Sequence, residues 1–450
     1  MSEQKTTYAR RLSLFDGTMV VVGGIIGAGI FLNPSIVAQR LDTPLLVLAA
    51  WGIGGAIALI GALCFGELGS RRPEAGGGYV YLREAFGPLP AFLYGWTLLL
   101  VINTGGISAV AMTFSYYFGD LMGLGDPLVK PVAIGSVVLL TGINYLGIRP
   151  GSITQNIFTV LKLLAVAMLT VAGALLFTGG EGASEGLLDT GRAVAGEGGG
   201  WSTVAAMGTA LIPVLFAYGG WQHANHVAGE IRRPRVNLPR VTFIGVVIVV
   251  TSYLLVNWAS LSALGLEGLA ASTAPASEVM QALWGDTGSA LMSAGIAIST
   301  FGFVNLAILA GARVYQAMAD DGLFFKRAAR LHPRYRTPSY SLIIQGIWIV
   351  ALILSGSYGQ LLDYTVFGDW IFFGLVAATL FWYRARGGDE EVFRMPGYPW
   401  LPALFILAAV FVVFSSVVSN LLNAAIGAGL ILAGVPVYLY WNSKHRDDQA

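Results

Sequence analysis

The stretch VVGGIIGAGIFLNP, residues 21–34, determines the interpretation of this chain. Residues 23–29 contain four glycines, and a proline follows at position 34. Glycine weakens a helix interior by roughly 1 kcal/mol relative to alanine, and proline removes a backbone hydrogen bond. The flanking residues are apolar enough for a membrane-spanning helix, in which an unpaired backbone group is costly. We therefore predict a helix that is unwound at membrane depth and borders a cavity that uses its backbone groups.

A second interrupted stretch, LIPVLFAYGGWQHANH, lies at residues 211–226. Pro213 precedes the pair Gly219 and Gly220. The two stretches fall in the first and sixth apolar segments, which are corresponding places if the chain consists of two five-helix repeats. Interrupted segments at corresponding places indicate a transporter with inverted repeats and a binding site near the membrane midplane. The alternative is that the glycines only allow close helix packing.

The composition indicates a membrane protein. Of the 450 residues, 55% are hydrophobic and only 11% are charged, whereas soluble domains carry about 25% charged residues. The mean hydropathy is +0.69. These values exclude a soluble enzyme, a disordered protein and a fibrous protein. The net charge of +1 gives no reason to expect nucleic-acid binding, and the single cysteine, Cys64, excludes an internal disulfide.

The apolar residues occur in windows of about 20, the length of a spanning helix. We count twelve such windows, and hence predict an all-α integral membrane protein with twelve transmembrane helices. The windows cover residues 14–39, 44–69, 87–119, 127–147, 152–178, 202–229, 239–264, 287–318, 339–356, 360–383, 400–418 and 421–441.

The distribution of positive charge predicts the orientation. With the N-terminus inside, 22 of the 26 Lys and Arg residues fall in inner segments, three fall in outer segments, and Lys162 lies within a span. This asymmetry places both termini in the cytoplasm and the protein in the cytoplasmic membrane. The predicted parts are an N-terminal tail (1–13), a first inverted repeat (14–178), a Gly-rich acidic outer loop (179–201), a second inverted repeat (202–383), an inner loop (384–399), two further spans (400–441) and a C-terminal tail (442–450).

The backbone groups of an unwound helix also indicate the kind of ligand. Free N–H groups at the start of a half-helix suit a carboxylate, through unpaired donors and the helix dipole. Free carbonyl groups opposite them suit an ammonium group. A site that offers both favours a zwitterion such as an α-amino acid.

Several motifs resemble those of the amino acid–polyamine–organocation superfamily. VGGIIGAGIFLNP (22–34) resembles its first-helix signature, and PVLFAYGGWQHANHVAGEIRRPRVNLPR (213–240) resembles its sixth helix and the loop that follows. STFGFVNLAILAGARVYQAMADDG (299–322) and RTPSYSL (336–342) resemble its eighth helix and the entry to the ninth. Together the motifs are most similar to the L-type amino acid transporter family, including its bacterial members. The resemblance implies two inverted five-helix repeats with two further helices, and transport of neutral L-amino acids by alternating access.

The resemblance also implies roles for individual residues. Backbone N–H groups around three residues of the first helix would hold the substrate carboxylate, and carbonyl groups of both broken helices would hold its ammonium group. Phe216 would also close over the outer side of the substrate. The carboxylate residues are Gly27, Ala28 and Gly29; the ammonium residues are Ile25, Phe216 and Gly219; Ala217 lies beside them in the substrate site. Many relatives carry Ser or Thr in place of Ala28, so a side-chain hydroxyl contact is not expected here.

Lys162, in FTVLKLLAVAM (158–168), lies about ten residues into its span. Ionisable residues within a membrane are costly and are functional by default. In this superfamily, a lysine at this place in the fifth helix substitutes for a sodium ion between helices one and eight. We expect it to contact backbone carbonyls near Gly23 and Gly24 and the hydroxyl of Ser299, which predicts sodium-independent transport. The alternative is a lysine that extends to the interface.

The tenth span, LLDYTVFGDWIFF (361–373), contains two acids and two candidate pocket aromatics. Asp363 is expected at the outer mouth, whereas Asp369 lies deeper and could pair with a polar group, carry a proton or cap a kink at Gly368. The resemblance makes Trp370 the aromatic wall of the side-chain pocket, with Phe367 as a second wall.

Other polar residues suit structural roles. His223 and His226 alone do not make a metal site, so we predict neither a metal nor another cofactor and place them in the inner vestibule. Glu67 and Glu230 are expected to pair with arginines of the Arg71, Arg72 and Arg232 type. No catalytic motif appears, so we predict no enzyme activity. The favoured function is amino acid exchange; the alternatives are a proton-coupled symporter and a sensor that binds without transport. Cys64 lies within a span, so no disulfide-linked heavy-chain partner is expected.

Overall fold

The computed structural model describes residues 8–179, 199–356, 358–387 and 391–447. Every regular element in these ranges is a helix, and the one extended pairing is a parallel bridge between Leu12 and Ile231. The protein is therefore an all-helical membrane protein, as predicted. Residues 180–198, which are most of the predicted Gly-rich loop, lie outside the described ranges, as do residues 1–7, 357, 388–390 and 448–450 and the side chain of Asp363.

Nine helical segments in the described ranges are long and apolar enough to span a membrane. They are Pro44–Arg71, Pro88–Met122, Asp126–Tyr145, Ile148–Thr178, Ser202–His226, Pro234–Ala271, Pro275–Asp320, Trp400–Val418 and Leu421–Lys444. The bent pair Leu14–Ile25 and Gly29–Ala38 raises the number to ten if the pair forms one span. A shorter apolar helix covers Ser339–Ser355, and a 29-residue helix with charged residues near both ends covers Tyr358–Arg386.

We number the α-helices in chain order. The first nine are α1 Leu14–Ile25, α2 Gly29–Ala38, α3 Pro44–Arg71, α4 Gly78–Phe86, α5 Pro88–Thr97, α6 Asn103–Met122, α7 Val129–Tyr145, α8 Ile148–Gly179 and α9 Gly199–Tyr218. The others are α10 His223–His226, α11 Pro234–Ala271, α12 Pro275–Asp320, α13 Ser339–Ser355, α14 Tyr358–Arg386, α15 Trp400–Ser419, α16 Leu421–Leu432 and α17 Gly434–Asp447. Short 3₁₀ turns cover Asp126–Leu128, Ala228–Glu230 and Lys326–Ala329.

Helix boundaries follow local chemistry. α1 begins after Ser13, whose hydroxyl accepts from the Asp16 N–H while the Asp16 carboxylate accepts from the Ser13 N–H. This reciprocal cap supplies partners for backbone donors that a helix leaves free at its start. α6 is terminated by Gly123, the residue after its last one, which adopts a left-handed conformation (φ 63°). Glycine reaches this conformation without strain.

Two helices are longer than their predicted spans. Predicted as 239–264, α11 runs from 234 to 271 and bends at Gly265 (φ 67°). Predicted as 287–318, α12 runs from 275 to 320 and bends at Gly285 (φ 59°). In each case the glycine lets a short helix outside the apolar window continue from the span in a new direction.

The broken first helix lies at the centre of the packing. α1 packs on α11 and α8, and α2 packs on α11 and α9. α11 in turn packs on α3, and α12 packs on α6 and α8. The two breaks are therefore enclosed by other helices, which is the only setting in which non-helical backbone is stable at membrane depth.

Candidate substrate site

The first break separates α1 from α2 by three residues, 26–28. The two half-helices are bent by 43°. Ile26 has extended backbone (φ −73°, ψ 96°), and its N–H still donates to the Val22 carbonyl at 2.9 Å. Gly27 and Ala28 complete the gap. The Phe31 N–H donates to the Ala28 carbonyl at 3.1 Å. The N–H groups of Gly29 and Ile30, which precede it at the start of α2, have no partner among the described residues and are available to a ligand.

The second break separates α9 from α10 by four residues, 219–222. The Gly219 N–H donates to the Phe216 carbonyl at 3.1 Å, and the Gly220 N–H donates to Gln222 Oε1 at 3.0 Å. Gly220 has φ 131°, and a Cβ atom there would lie 2.2 Å from the Gly24 carbonyl oxygen. Glycine is thus required at position 220 for two reasons: the backbone conformation is unfavourable for other residues, and the two breaks touch there.

Carbonyl groups freed by the helix irregularity find side-chain donors. Pro213 cannot donate to the Thr209 carbonyl one turn earlier, and that carbonyl accepts from the Arg40 guanidinium instead. The Pro213 carbonyl accepts from Asn33 Nδ2 at 2.9 Å. Asn33 lies on α2, so this bond joins the second half of the first span to α9.

A cavity of about 320 Å³ lies between the breaks. It is at the small end of the usual range for ligand pockets. Most of the predicted site residues line it. They are Ile25, Gly27, Ala28, Gly29, Phe216, Ala217, Gly219, Asp369 and Trp370.

Phe367, predicted as a second pocket wall, is not among the residues that line this cavity. Its ring faces α16, where a Cβ atom on Gly427 would lie 3.1 Å from it. The cavity side of α14 is formed by Thr365, Asp369, Trp370 and Phe373. Residues four apart share a helix face, and Phe367 is half a turn from Thr365 and from Asp369. Phe367 lies three residues before Trp370, a spacing that places the two side chains near one helix face, so the sequence did not reveal this difference.

Lys162 is fully buried behind the first break. Its Nζ donates to the Ile26 carbonyl at 2.7 Å and to the Gly23 carbonyl at 3.1 Å. Ser299 Oγ, on α12, donates toward the Ile26 and Gly27 carbonyls at 3.4 and 3.3 Å. Lys162 and Ser299 therefore join α8 and α12 to the break without lining the cavity. Gly24 was expected to supply a carbonyl, but its carbonyl lies against Gly220 instead.

Tyr253, which lies on α11, was not predicted as a site residue. Its hydroxyl lies 3.0 Å from the Ile25 carbonyl oxygen and 3.1 Å from that of Ala217, and the residue is buried. The Ile25 carbonyl, predicted to hold the substrate ammonium group, therefore already has a donor within the protein. A tyrosine in an apolar helix carries no local signal, so sequence alone could not identify this contact.

The two histidines form one end of the cavity. His223 Nδ1 lies 2.8 Å from the Gly220 carbonyl oxygen, so this nitrogen carries the proton. His226 Nε2 lies 2.9 Å from the Tyr94 hydroxyl. Within the described ranges, no group of three His, Cys, Asp or Glu side chains could hold a metal ion.

A π-helical turn, Leu98–Ile102, also borders the cavity and was not predicted. The predicted span 87–119 is thus three elements, α5, the π turn and α6. Such turns are frequent at functional sites. Asn103, the first residue of α6, follows the turn and lines the cavity, and its Nδ2 donates to the Ala307 carbonyl at 3.2 Å.

We call the end of the molecule that carries the basic loops the basic face. Contacts between several segments hold this face together. The Leu12 N–H donates to the Glu230 carbonyl and the Arg232 N–H donates to the Leu12 carbonyl, each at 2.9 Å. Arg83 Nη1 lies 2.6 Å from the Asp321 carboxylate. These contacts join the N-terminal segment to the turn after α10, and α4 to the end of α12.

Buried ion pairs at this face differ in part from the predicted ones. Glu67 accepts from Arg71 at 2.8 Å, as expected, and also from Arg384 at 2.6 Å. Glu230, however, pairs with Arg313 at 3.0 Å rather than with an arginine of its own loop. Burial raises the pKa of the Glu230 carboxyl, and the Arg313 guanidinium opposes that rise.

The arrangement offers backbone donors and acceptors from two touching breaks around a small cavity. A profile of the family described as "Amino acid permease" matches residues 12–439. This chain belongs to the amino acid permease family. The permease family consists of transporters, so the protein is an integral membrane transporter and not an enzyme.

Similar proteins cover nearly the whole chain of this permease. The serine/threonine exchanger SteT of Bacillus subtilis (strain 168) is 30% identical over 95% of this chain and 96% of its own. The human b(0,+)-type amino acid transporter 1 is 32% identical over 93% of this chain and 85% of its own. The human cystine/glutamate transporter is 29% identical over 99% of this chain and 88% of its own.

Proposed function

We propose that this permease carries neutral L-amino acids across the cytoplasmic membrane by alternating access, without sodium, and as an exchanger. The observation that carries the proposal is the contact between the two breaks beside one small cavity. Free N–H groups at the start of α2 suit the substrate carboxylate, and carbonyl groups of α9 suit its ammonium group. The name of SteT, an exchanger whose length closely matches that of this chain, supports exchange.

Lys162 supports independence from sodium. Its ammonium group already occupies the space between the Gly23 and Ile26 carbonyls, with Ser299 on the opposite side. A positive charge is thus built into the position that a cation would otherwise hold between the first break and α12. Carbonyl oxygens that are satisfied by a lysine do not need a second cation.

The helix packing supports twelve spans in two inverted repeats, and the excess of Lys and Arg in one set of loops supports a cytoplasmic location of both termini. Spans related by the proposed repeats pack against each other: α2 on α9, α3 on α11, α6 on α12, and α7 on α13. Such contacts are expected where a pseudo-twofold axis passes through the centre of the molecule. The twelve spans are completed by α13 and α14 together with the bent pair α1 and α2.

The test is uptake of labelled L-alanine and L-leucine into proteoliposomes that contain only this chain. Uptake in sodium-free buffer that requires unlabelled amino acid inside the vesicles would support the proposal. Uptake several times faster with sodium than with choline would contradict sodium independence. Uptake into empty vesicles driven by an inward proton gradient would instead indicate a symporter, and binding without flux would indicate a sensor.

The same measurement tests for a partner. Cys64 is buried within α3, with its sulfur 3.5 Å from that of Met395. It is therefore inaccessible to a disulfide with another chain. We expect the purified chain to transport without a heavy-chain subunit.

A further inference from the structure

Asp369 gives the cavity an unusual electrostatic feature. Among the described residues that line the cavity, it is the one Asp, Glu, Lys or Arg. Its carboxylate accepts no hydrogen bond from the part of the chain that the structure describes. The neighbouring wall residues Trp370, Phe373 and Phe303 are aromatic. The carboxylate thus lies on the cavity wall among aromatic side chains, and its oxygens can still accept hydrogen bonds from a ligand.

A second polar group that lines the cavity is also incompletely satisfied. His226 is only 2% exposed, and its Nε2 is occupied by Tyr94. Its other ring nitrogen, Nδ1, is buried without a partner among the described residues. Asp369 and His226 both line the cavity. We call these two residues, together with the Tyr94 hydroxyl that is bonded to His226, the polar wall.

A polar group that a bound ligand covers without pairing is costly, and a carboxylate is the most costly of them. A ligand that brings a hydrogen-bond donor to the polar wall removes part of that cost, whereas an apolar ligand does not. Discrimination of this kind is strong because the wrong ligand leaves a buried polar group unpaired.

The polar wall is separate from the groups that suit the common part of an amino acid. The breaks between α1 and α2 and between α9 and α10 provide the backbone donors and acceptors. Asp369 lies on α14, which is continuous through this region. It is therefore placed to contact the part of the substrate that differs between amino acids.

We propose that Asp369, assisted by Tyr94 and His226, determines specificity for amino acids whose side chain ends in a hydrogen-bond donor, a hydroxyl or an ammonium group. The inference rests on the proposed function, because it assumes that the breaks hold the α-amino and α-carboxyl groups. It changes the substrate class of that function from neutral side chains in general to side chains that end in a donor, which include the neutral hydroxyl and the cationic ammonium group.

The test uses two pairs of ligands that match in shape. L-threonine and L-valine differ by a hydroxyl in place of a methyl group, and L-lysine and L-norleucine differ by a terminal ammonium in place of a methyl group. Binding to the purified permease is measured by calorimetry, and flux is measured separately in proteoliposomes. We expect the donor to bind at least about tenfold more tightly than its apolar match in one or both pairs.

Two variants separate the hydroxyl from the ammonium group. Asp369→Leu removes the acceptor at similar volume and should abolish the preference in both pairs. Asp369→Asn retains a neutral acceptor oxygen, so it should keep a threonine preference and lose a lysine preference. Asp126→Asn, at an exposed position between α6 and α7, is the matched control and should leave both ratios unchanged.

Three results would overturn the inference: equal binding within both pairs by the wild type, ratios unchanged in Asp369→Leu, or an equal loss of all four ligands in that variant. The last result would place Asp369 at the α-ammonium group instead. A donor preference in binding without any flux would support the inference and contradict the transport function, so the two failures are distinguishable.

Discussion

At the residue scale, the buried polar side chains near the site are held mainly by backbone carbonyls. Lys162 donates to two carbonyls of the first break, and Asn225 Nδ2 donates to the Phe65 carbonyl at 2.7 Å. Tyr253 lies between the Ile25 and Ala217 carbonyls. Each of these contacts joins a side chain on one helix to an irregular or crowded part of another. They supply the partners that a membrane interior cannot.

Substitution of Lys162 tests this arrangement. In Lys162→Met, the Gly23 and Ile26 carbonyls lose a charged donor, so the break loses its fixed geometry. We expect the uptake rate to fall at least about tenfold, since buried carbonyls without partners are unfavourable and will rearrange. Lys130→Met is the matched control, because Lys130 is exposed and its Nζ makes only a long contact, 3.5 Å, with the Leu354 carbonyl. Equal uptake by Lys162→Met and wild type would refute the role of the lysine.

At the element scale, the two breaks act as one unit because they touch. Gly220 approaches Gly24, and the second half of the first span is joined to α9 through Asn33. A change in the direction of one half-helix must therefore be accompanied by a change in the other. The continuous helices α11 and α12 around them provide the fixed surroundings against which such a movement can occur.

Gly220→Ala tests the contact between the breaks. The new methyl group would lie 2.2 Å from the Gly24 carbonyl oxygen and 2.8 Å from the Ile25 nitrogen, both backbone atoms. The residue would also be forced into a conformation unfavourable for L side chains. We expect uptake to fall at least about tenfold, together with a lower melting temperature in detergent.

Gly52→Ala is the control for that substitution. Gly52 lies within α3, and no atom of another element lies within 4 Å of the place that an alanine Cβ would occupy. An alanine there should leave uptake unchanged and slightly favour the helix. Similar losses in both variants would mean that the contact between the breaks is not responsible.

At the scale of the whole molecule, the basic face is closed by contacts that are distant in sequence. Leu12 pairs with Ile231, Arg83 with Asp321, and Glu230 with Arg313. The Glu230–Arg313 pair is nearly inaccessible to solvent, so loss of either partner would leave an uncompensated buried charge. Together these contacts connect the N-terminal segment, the turn after α10, α4 and α12.

The orientation of the molecule gives a third prediction. Cysteines replacing Lys130 and Arg327, both exposed, should lie on opposite sides of the membrane. Membrane-impermeant maleimide applied to intact cells should label Lys130→Cys, and should label Arg327→Cys only after lysis, because basic loops remain inside. The wild type is the background control, since its Cys64 is buried. The reverse pattern would overturn the proposed orientation.

The amino-acid sequence by itself determined the properties that depend on neighbouring residues. Apolar windows determined an all-helical membrane protein, and clustered glycines determined where α1 and α2, and α9 and α10, are separated. A lysine in an apolar window identified Lys162 as exceptional. These are local features, because hydrophobicity, helix propensity and the cost of a charge in lipid are set by the residue and its near neighbours.

Only the tertiary structure decided which side chains meet across the molecule. It turned Phe367 away from the cavity, brought Tyr253 to the Ile25 carbonyl, and paired Glu230 with Arg313 of α12. It also placed Asp369 on the cavity wall with the Tyr94–His226 pair. The physical reason is that such contacts depend on the rotation and separation of whole helices. Those are set by side-chain packing summed over many residues, and no local pattern encodes them.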